Sequence, residues 1–125
     1  MLERFRELRV PLALCTNKPA APLRPTLKAA GIESVFASVV AGDMLERRKP
    51  DPMPLRHIIA ELAAQTCVYV GDSETDGETA LRAGVPFVLF TEGIRQRAVQ
   101  DIPHTAAFSD FGELPEIYRQ LTRLE

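Results

Sequence analysis

Four short apolar runs, separated by segments with helical spacing, constrain the fold of this chain more than any other feature. The runs are VPLALC (10–15), SVFASVVAG (34–42), CVYVG (67–71) and VPFVLF (85–90). Short, largely apolar runs of this kind are typical of strands covered on both faces. Strand and helix in alternation, with short connections, predict parallel pairing through right-handed crossovers. We therefore predict an α/β fold built on a doubly wound parallel sheet.

The segments between these runs carry the spacing and the end signals of helices. Helices are predicted before the first strand, around Leu2 to Leu8, and then over 20–30, 52–64, 75–83 and 113–123. Gly31 and Gly84 follow two of these helices, as glycine commonly does at a helix C-terminus. A short helix near 94–100 and a short edge strand over TAAF (105–108) complete the expected order.

The length and charge of the chain exclude several classes of function. At 125 residues it is long enough for a single domain with a core and too short for two. With a net charge of −2 and scattered basic residues, the sequence predicts no basic surface of the kind that binds nucleic acid. No apolar run approaches the roughly 18 residues that cross a bilayer, and the N-terminus lacks a signal peptide's apolar core, so the cytoplasm is the default expectation. Cys15 and Cys67 are expected to be buried reduced thiols, since a metal site needs more ligands.

Polar clusters follow three of the predicted strands directly. TNK (16–18) follows the first strand, GDSETD (71–76) the third and TEG (91–93) the fourth. Because ligands gather at the carboxyl ends of strands in doubly wound sheets, these clusters are the candidate functional site.

The GDSETD stretch places three carboxylates within five positions. One interpretation is a helix start, with Ser73 as N-cap and Asp76 at the third helical position, where the helix dipole stabilises each acid by about 0.3–1 kcal/mol. That interpretation does not explain Asp72, because a carboxylate at a strand tip loses solvation. A hard divalent cation removes the cost, and Mg²⁺ is typically held by one or two carboxylates with water and a phosphate. Asp72 and Asp76 are therefore candidate metal ligands.

Two other stretches contain groups that can bind an anion. In CTNKP (15–19) the Thr16 hydroxyl and the backbone N–H groups of a strand-to-helix turn can hold an anionic oxygen, or Thr16 and Asn17 can simply cap the next helix. In RRKPDP (47–52) the three basic side chains are either all solvated, or one of them, Lys49, is held in a fixed position. Lys49 precedes a proline, which favours an extended backbone, and a lysine held there can neutralise a phosphate as a point charge.

Three stretches together resemble the second, third and fourth motifs of the haloacid dehalogenase-like phosphohydrolases. They are Thr16 after an apolar strand, Lys49 in RKPDP and the acids of GDSETD. CTNKP, VGDSETD and AGVPFVLFTEGIR are similar to the bacterial phosphoglycolate phosphatase branch. The resemblance implies a Rossmann-like core that hydrolyses a small phosphate monoester, 2-phosphoglycolate, with Mg²⁺. It implies that Thr16 and Asn17 bind the phosphoryl group and that Lys49 balances its charge. Asp72 and Asp76 would hold Mg²⁺, and the catalytic residues of this chain would be Thr16, Lys49 and Asp72.

One part of the family pattern is missing from the sequence. The first motif is an Asp-x-Asp pair, whose members are the nucleophile that forms an aspartyl-phosphate and the general acid/base, and no such pair occurs in the 125 residues. By resemblance the chain is the C-terminal part of the core, without the N-terminal central strand and the cap. Covalent catalysis needs both acids, so the chain alone is expected to turn over essentially no substrate. Loss of a strand between 10–15 and 67–71 is expected to leave marginal stability, or a homodimer through unpaired strand edges.

Two other functions remain open. A non-catalytic phosphate- or Mg²⁺-binding module on the same fold is favoured by the missing nucleophile, whereas Lys49 favours the enzyme. A receiver-like signalling domain shares the fold class, but its phosphoacceptor aspartate should end an early strand, and the first strand here ends in Cys15 and Thr16.

Several remaining polar residues are expected to have no catalytic role. His57 and His104 match no functional position of the family, so we expect them to be structural or solvated. Arg95 and Arg97 are expected to lie in a solvated loop. Gly93 is expected to be required only by backbone geometry.

Overall fold

The computed structural model describes residues 2–93 and 98–122. The chain divides into two compact units, Leu2–Ala64 and Gln65–Glu125. Each unit contains one parallel sheet with its helices, so the predicted α/β class with parallel strands is confirmed. No helix in the described ranges has both the length and the apolar character needed to cross a bilayer.

The first unit forms its sheet from two strands. Its elements are α1 (Leu2–Glu7), β1 (Ala13–Cys15), α2 (Ala20–Ala29), β2 (Ser38–Val40) and α3 (Met53–Glu61). β1 and β2 are parallel, with Cys15 opposite Val40 at the carboxyl ends. Leu23 and Leu27 of α2 form a buried cluster with Ala41, against which strand side chains pack. The crossover helix therefore covers the sheet with one apolar face, as its spacing predicts.

The second unit forms a three-stranded sheet. Its elements are β3 (Tyr69–Gly71), α4 (Glu74–Ala83), β4 (Phe87–Phe90), β5 (Ala106–Phe108) and α5 (Leu114–Thr122). β4 lies between β3 and β5 and is parallel to both. Val88 and Leu89 are 0% exposed, and successive strand residues point to opposite faces, so both faces of β4 are covered. This matches the continuous apolar run of the sequence.

Helix α4 begins and ends where its sequence signals place it. Ser73 is the N-cap, and its hydroxyl oxygen accepts the N–H of Asp76 at 3.3 Å. Gly84 follows the helix with φ of +73°, a left-handed conformation that glycine adopts without steric cost. The expected helix start and stop are both confirmed.

The predicted strands are longer than the observed ones. The run over 10–15 contributes only β1, and the run over 34–42 contributes only β2. An apolar run indicates that its side chains are buried, whereas a strand also needs hydrogen bonds to a neighbouring strand. Part of each run is buried or half-buried in a loop. The edge strand predicted over 105–108 is confirmed as β5. Of the predicted helix near 94–100, residues 94–97 lie outside the described residues, and Val99–Asp101 is a 3-10 turn.

Replacing Leu89 with alanine is expected to lower the free energy of unfolding by about 2–5 kcal/mol, because the side chain is fully buried at the centre of the sheet. The matched control is Leu81→Ala on α4, where the side chain is 66% exposed and the expected change is below about 0.5 kcal/mol. Urea unfolding followed by circular dichroism measures both variants. Equal losses would contradict the placement of β4 in the core.

Candidate functional site

Asn17 and Lys49 are joined by two hydrogen bonds at the carboxyl end of β1. The Asn17 side chain donates from Nδ2 to the Lys49 carbonyl oxygen and accepts the Lys49 N–H at Oδ1, each at 3.0 Å. Both residues are half-buried, whereas Arg47 and Arg48 are exposed, as expected for solvated charges. The side-chain amide of Asn17 therefore fixes the backbone that carries Lys49 next to the end of a strand. Direct contact of Asn17 with phosphate stays a prediction.

The turn after β1 contains one backbone donor and one hydroxyl proton with no acceptor among the described residues. These are the N–H of Asn17 and the proton of the Thr16 hydroxyl. The other backbone N–H groups of residues 16 to 20 donate hydrogen bonds. The Thr16 N–H donates to the Val40 carbonyl oxygen, and the Lys18 N–H donates to Thr16 Oγ1. The Ala20 N–H donates to Asp43 Oδ1. Pro19 has no N–H. The turn can therefore present two donors to one anionic oxygen or group.

Asp43 was not identified by the sequence reasoning. Its carboxylate accepts the Ala20 N–H at 3.0 Å, at the N-terminus of α2, where Pro19 is the N-cap and makes no side-chain hydrogen bond. An acid at a helix N-terminus is stabilised by the helix dipole. Neither Thr16 nor Asn17 is the N-cap of α2, so the simple capping interpretation of these two residues is wrong.

Asp76 lies at the start of α4 and is 8% exposed. Its carboxylate accepts three hydrogen bonds, at Oδ1 from the Tyr69 hydroxyl at 3.1 Å, and at Oδ2 from the Asp72 N–H at 3.2 Å and the Ser73 hydroxyl at 3.1 Å. Hydrogen bonds to a buried carboxylate offset the cost of removing it from water. The helix-start interpretation therefore accounts for Asp76 without a cation.

Asp72 differs from Asp76 in its surroundings. Its carboxylate is half-buried, and no described residue donates a hydrogen bond to it or forms an ion pair with it. It lies against Gly93, since a Cβ built on that glycine would be 2.7 Å from Asp72 Cγ. The helix start therefore leaves Asp72 unexplained, as the sequence indicated.

The carboxylates match the chemistry of Mg²⁺ in part. In the part of the chain that the structure describes, no group of three or more His, Cys, Asp or Glu side chains is placed to hold a metal ion. Mg²⁺ nevertheless often takes only one or two protein carboxylates, and completes its octahedron with water and phosphate oxygens. Asp72 and Asp76 therefore fit an ion that takes one or two ligands from this chain, but not a complete site.

Sequence reasoning missed Tyr69 and misjudged Gly93. The sequence indicates only a strand position for Tyr69, although its hydroxyl donates to Asp76. Gly93 does not have the positive φ that favours glycine, so the expectation that backbone geometry requires it is wrong. Neither contact has a local signal, because each joins residues that only the fold brings together.

His57 and His104 have contacts outside these clusters. His57 is exposed beside a glutamate of its own helix, with Nε2 3.8 Å from Glu61 Oε2. His104 is exposed, and its Nδ1 lies 2.7 Å from a backbone carbonyl oxygen. The structural or solvated role expected for both is confirmed. Arg95 and Arg97 lie outside the described residues.

Neither cysteine forms a disulfide, and the burial expected for both thiols is confirmed for Cys15 but not for Cys67. Cys15 is buried at the end of β1, and Cys67 is half-buried before β3. Burial raises the pKa of the Cys67 thiol from its ordinary value of 9.0, because the charged thiolate is less well solvated than in water. The neutral thiol therefore predominates at neutral pH.

Replacing Asn17 with alanine is expected to speed exchange of the Lys49 amide hydrogen by up to about tenfold, because that hydrogen loses its acceptor and a hydrogen bond contributes about 0.5–1.5 kcal/mol. Hydrogen exchange followed by NMR measures the effect. The Met53 amide, which donates to Asp51 Oδ1 at 2.8 Å, is the internal control and should not change. Unchanged exchange at Lys49 would show that Asn17 does not hold this backbone.

Replacing Ser73 with alanine is expected to lower the free energy of unfolding by about 0.5–2 kcal/mol. The variant loses the N-cap of α4 and one donor to the buried Asp76 carboxylate. Thermal unfolding of this variant is compared with that of Ser109→Ala, whose side chain is exposed and which should change by less than about 0.5 kcal/mol. A neutral Ser73→Ala variant would contradict the capping role.

Known proteins resemble this chain over most of its length. Residues 1–90 match the family model for haloacid dehalogenase-like hydrolases. A phosphoglycolate phosphatase of Cereibacter sphaeroides is 51% identical over 110 residues, which are 88% of this chain and 50% of that protein. One of Rhodobacter capsulatus is 41% identical over 116 residues, which are 93% of this chain and 53% of that protein. The chain thus spans about half the length of these relatives.

A solved structure agrees with the sequence matches. The crystal structure of a predicted phosphoglycolate phosphatase from Haemophilus somnus has a TM-score of 0.88 and 29% sequence identity, and the match covers 93% of this chain and 53% of that chain. The family resemblance carried by CTNKP, RKPDP and GDSETD is therefore confirmed. This chain belongs to the haloacid dehalogenase-like hydrolase family.

Proposed function

We propose that this chain is part of a Mg²⁺-dependent phosphatase that hydrolyses a small phosphate monoester, 2-phosphoglycolate. The observation that carries the proposal is the turn after β1. There the Thr16 hydroxyl and the Asn17 N–H are the groups left to bind an anion, while the Asn17 side chain holds the backbone of Lys49. The choice of substrate is supported by the phosphoglycolate phosphatases that are 41% and 51% identical to this chain.

In this proposal the first unit binds and neutralises the phosphoryl group. The Thr16 hydroxyl and the Asn17 N–H donate to its oxygens, and the Lys49 ammonium balances its negative charge. Donors and charges that are positioned before the reaction stabilise the charge that develops in the transition state, because they need no reorganisation. Lys49 acts as a point charge, so the position of its backbone matters, and Asn17 supplies that position.

In the second unit, Asp72 and Asp76 would hold Mg²⁺. When bound, the ion polarises a phosphoryl oxygen and offsets negative charge. Asp72 is the better placed ligand, because no described residue bonds to its carboxylate, whereas Asp76 accepts three hydrogen bonds. The aspartyl-phosphate intermediate implied by the family requires a nucleophile from an Asp-x-Asp pair, which these 125 residues do not contain.

The alternative is a non-catalytic phosphate- or Mg²⁺-binding module on the same fold. One observation favours it, because protein donors among the described residues give Asp76 a structural role that needs no metal.

The test joins this chain to the half of the C. sphaeroides phosphoglycolate phosphatase that it does not match. The chimera is expected to hydrolyse 2-phosphoglycolate, to lose activity in EDTA and to regain it with Mg²⁺. Lys49→Ala is expected to lower kcat/KM by about 10²–10³-fold, as loss of a positioned charge-stabilising group does. The matched control is Arg48→Ala, which removes an exposed neighbouring cation and should leave kcat/KM unchanged.

Other outcomes separate the parts of the proposal. A folded chimera that binds inorganic phosphate but hydrolyses no phosphate ester would overturn the enzyme and support the binding module. Hydrolysis of other monoesters without 2-phosphoglycolate would overturn only the substrate. Activity that survives EDTA would overturn the metal requirement.

A further inference from the structure

Two glycines of the second unit lie where a side chain would collide with an acid of the candidate site. Gly71 ends β3, and a Cβ built on it would be 2.5 Å from both Cβ and Oδ2 of Asp76. Gly93 follows β4, and its Cβ would be 2.7 Å from Asp72 Cγ and closer still to Asp72 Cβ and Oδ2. Real Cβ atoms essentially never approach other heavy atoms within 3.0 Å. An alanine at either position therefore forces an atom to move.

Backbone conformation does not explain these two glycines. The glycines with positive φ in the described ranges are Gly31 and Gly84, which follow helices α2 and α4. A Cβ at either of them would meet nothing within 4 Å. Gly71 and Gly93 show the opposite combination, with no positive φ and no space. What these positions require is the absence of a side chain.

The same crowding occurs at a predicted site residue of the first unit. Gly42 follows β2, and its Cβ would be 2.6 Å from the backbone carbonyl carbon of Asn17. Glycines next to the carboxyl ends of β2, β3 and β4 thus each leave room for a predicted site residue of their own unit.

The ladder between β3 and β4 explains why Gly93 meets Asp72. Gly71 is opposite Leu89, so the two parallel strands end at the same edge of the sheet. The chain that leaves β4 passes beside the residue that follows β3, which is Asp72. An aspartate side chain has only two rotatable bonds, and its Cβ is among the crowded atoms. Alanine at position 93 must therefore displace the Asp72 carboxylate or the loop itself.

We propose that Gly93 is a positioning residue for Asp72. The missing side chain determines where the Asp72 carboxylate lies relative to a divalent cation. The cation in this inference rests on the proposed function, whereas the steric part rests on the contacts alone. The two parts are tested separately.

The first experiment is a double-mutant cycle in the full chain. Gly93→Ala is expected to lower the urea midpoint of the wild-type chain, and to lower it much less in an Asp72→Gly background, where the crowded side chain is gone. Gly112→Ala is the matched control, because its Cβ would meet the exposed Asp110 side chain, at 3.3 Å from Oδ1, and not Asp72. It should therefore cause the same shift in both backgrounds. Equal losses from Gly93→Ala in both backgrounds would overturn the inference. If Gly93→Ala alone does not fold, a folded Asp72→Gly/Gly93→Ala chain supports the inference, and an unfolded one overturns it.

The second experiment measures Mn²⁺ binding by electron paramagnetic resonance, with Mn²⁺ as the probe for Mg²⁺. A folded Gly93→Ala chain is expected to bind Mn²⁺ about 10–100-fold more weakly, the loss typical when a group that orients a metal ligand is changed. Gly112→Ala should bind like the wild type. Equal Mn²⁺ affinity of Gly93→Ala and wild type would overturn the positioning role. A wild-type chain that binds no Mn²⁺ would remove the cation from this inference, and the stability cycle would then decide the steric part. The EDTA test on the chimera would still decide the metal requirement of the proposed function.

Discussion

The parallel ladder between β3 and β4 is the constraint on which the second unit depends. It places Tyr69 opposite Phe87 and Gly71 opposite Leu89, so both strands end at one edge of the sheet. Val88 and Leu89 are fully buried, and each such side chain contributes roughly 1.5–3 kcal/mol through burial. A slip of one residue would exchange the faces on which Val88 and Leu89 pack. The core therefore fixes the register, and the register fixes which loop lies beside Asp72.

The fold was predictable where the apolar pattern and the end signals agree. Ser73 and Gly84 delimit α4 by local chemistry, through an N-cap hydroxyl and a left-handed glycine, and both signals are visible in the sequence. Strand lengths were not predictable in the same way. The run over 10–15 is apolar throughout, yet only three of its residues form ladder pairs with β2. Pairing depends on a second strand, and a single run contains no information about where that partner stops.

The candidate site was predictable in its residue types but not in its contacts. Thr16 and Lys49 were identified because a hydroxyl after a strand and a lysine before a proline have chemical meaning by themselves. The hydrogen bonds between Asn17 and Lys49 join positions far apart in the chain, so no local sequence pattern indicates them. The sequence therefore indicates a phosphate ligand or a helix cap at Asn17, whereas its side chain bonds to the backbone of Lys49. The contact of Gly93 with Asp72 was missed for the same reason.

The two aspartates of GDSETD lie in different surroundings. Asp76 is buried and accepts three hydrogen bonds, so the protein itself compensates the removal of this carboxylate from water. Asp72 is half-buried, and within the described residues its carboxylate accepts no hydrogen bond and forms no ion pair. Burying a charge without a partner is costly, and a divalent cation is the partner that oxygen ligands of this kind select. The different surroundings of the two carboxylates therefore make Asp72, and not the buried Asp76, the stronger support for the metal ion of the proposed function.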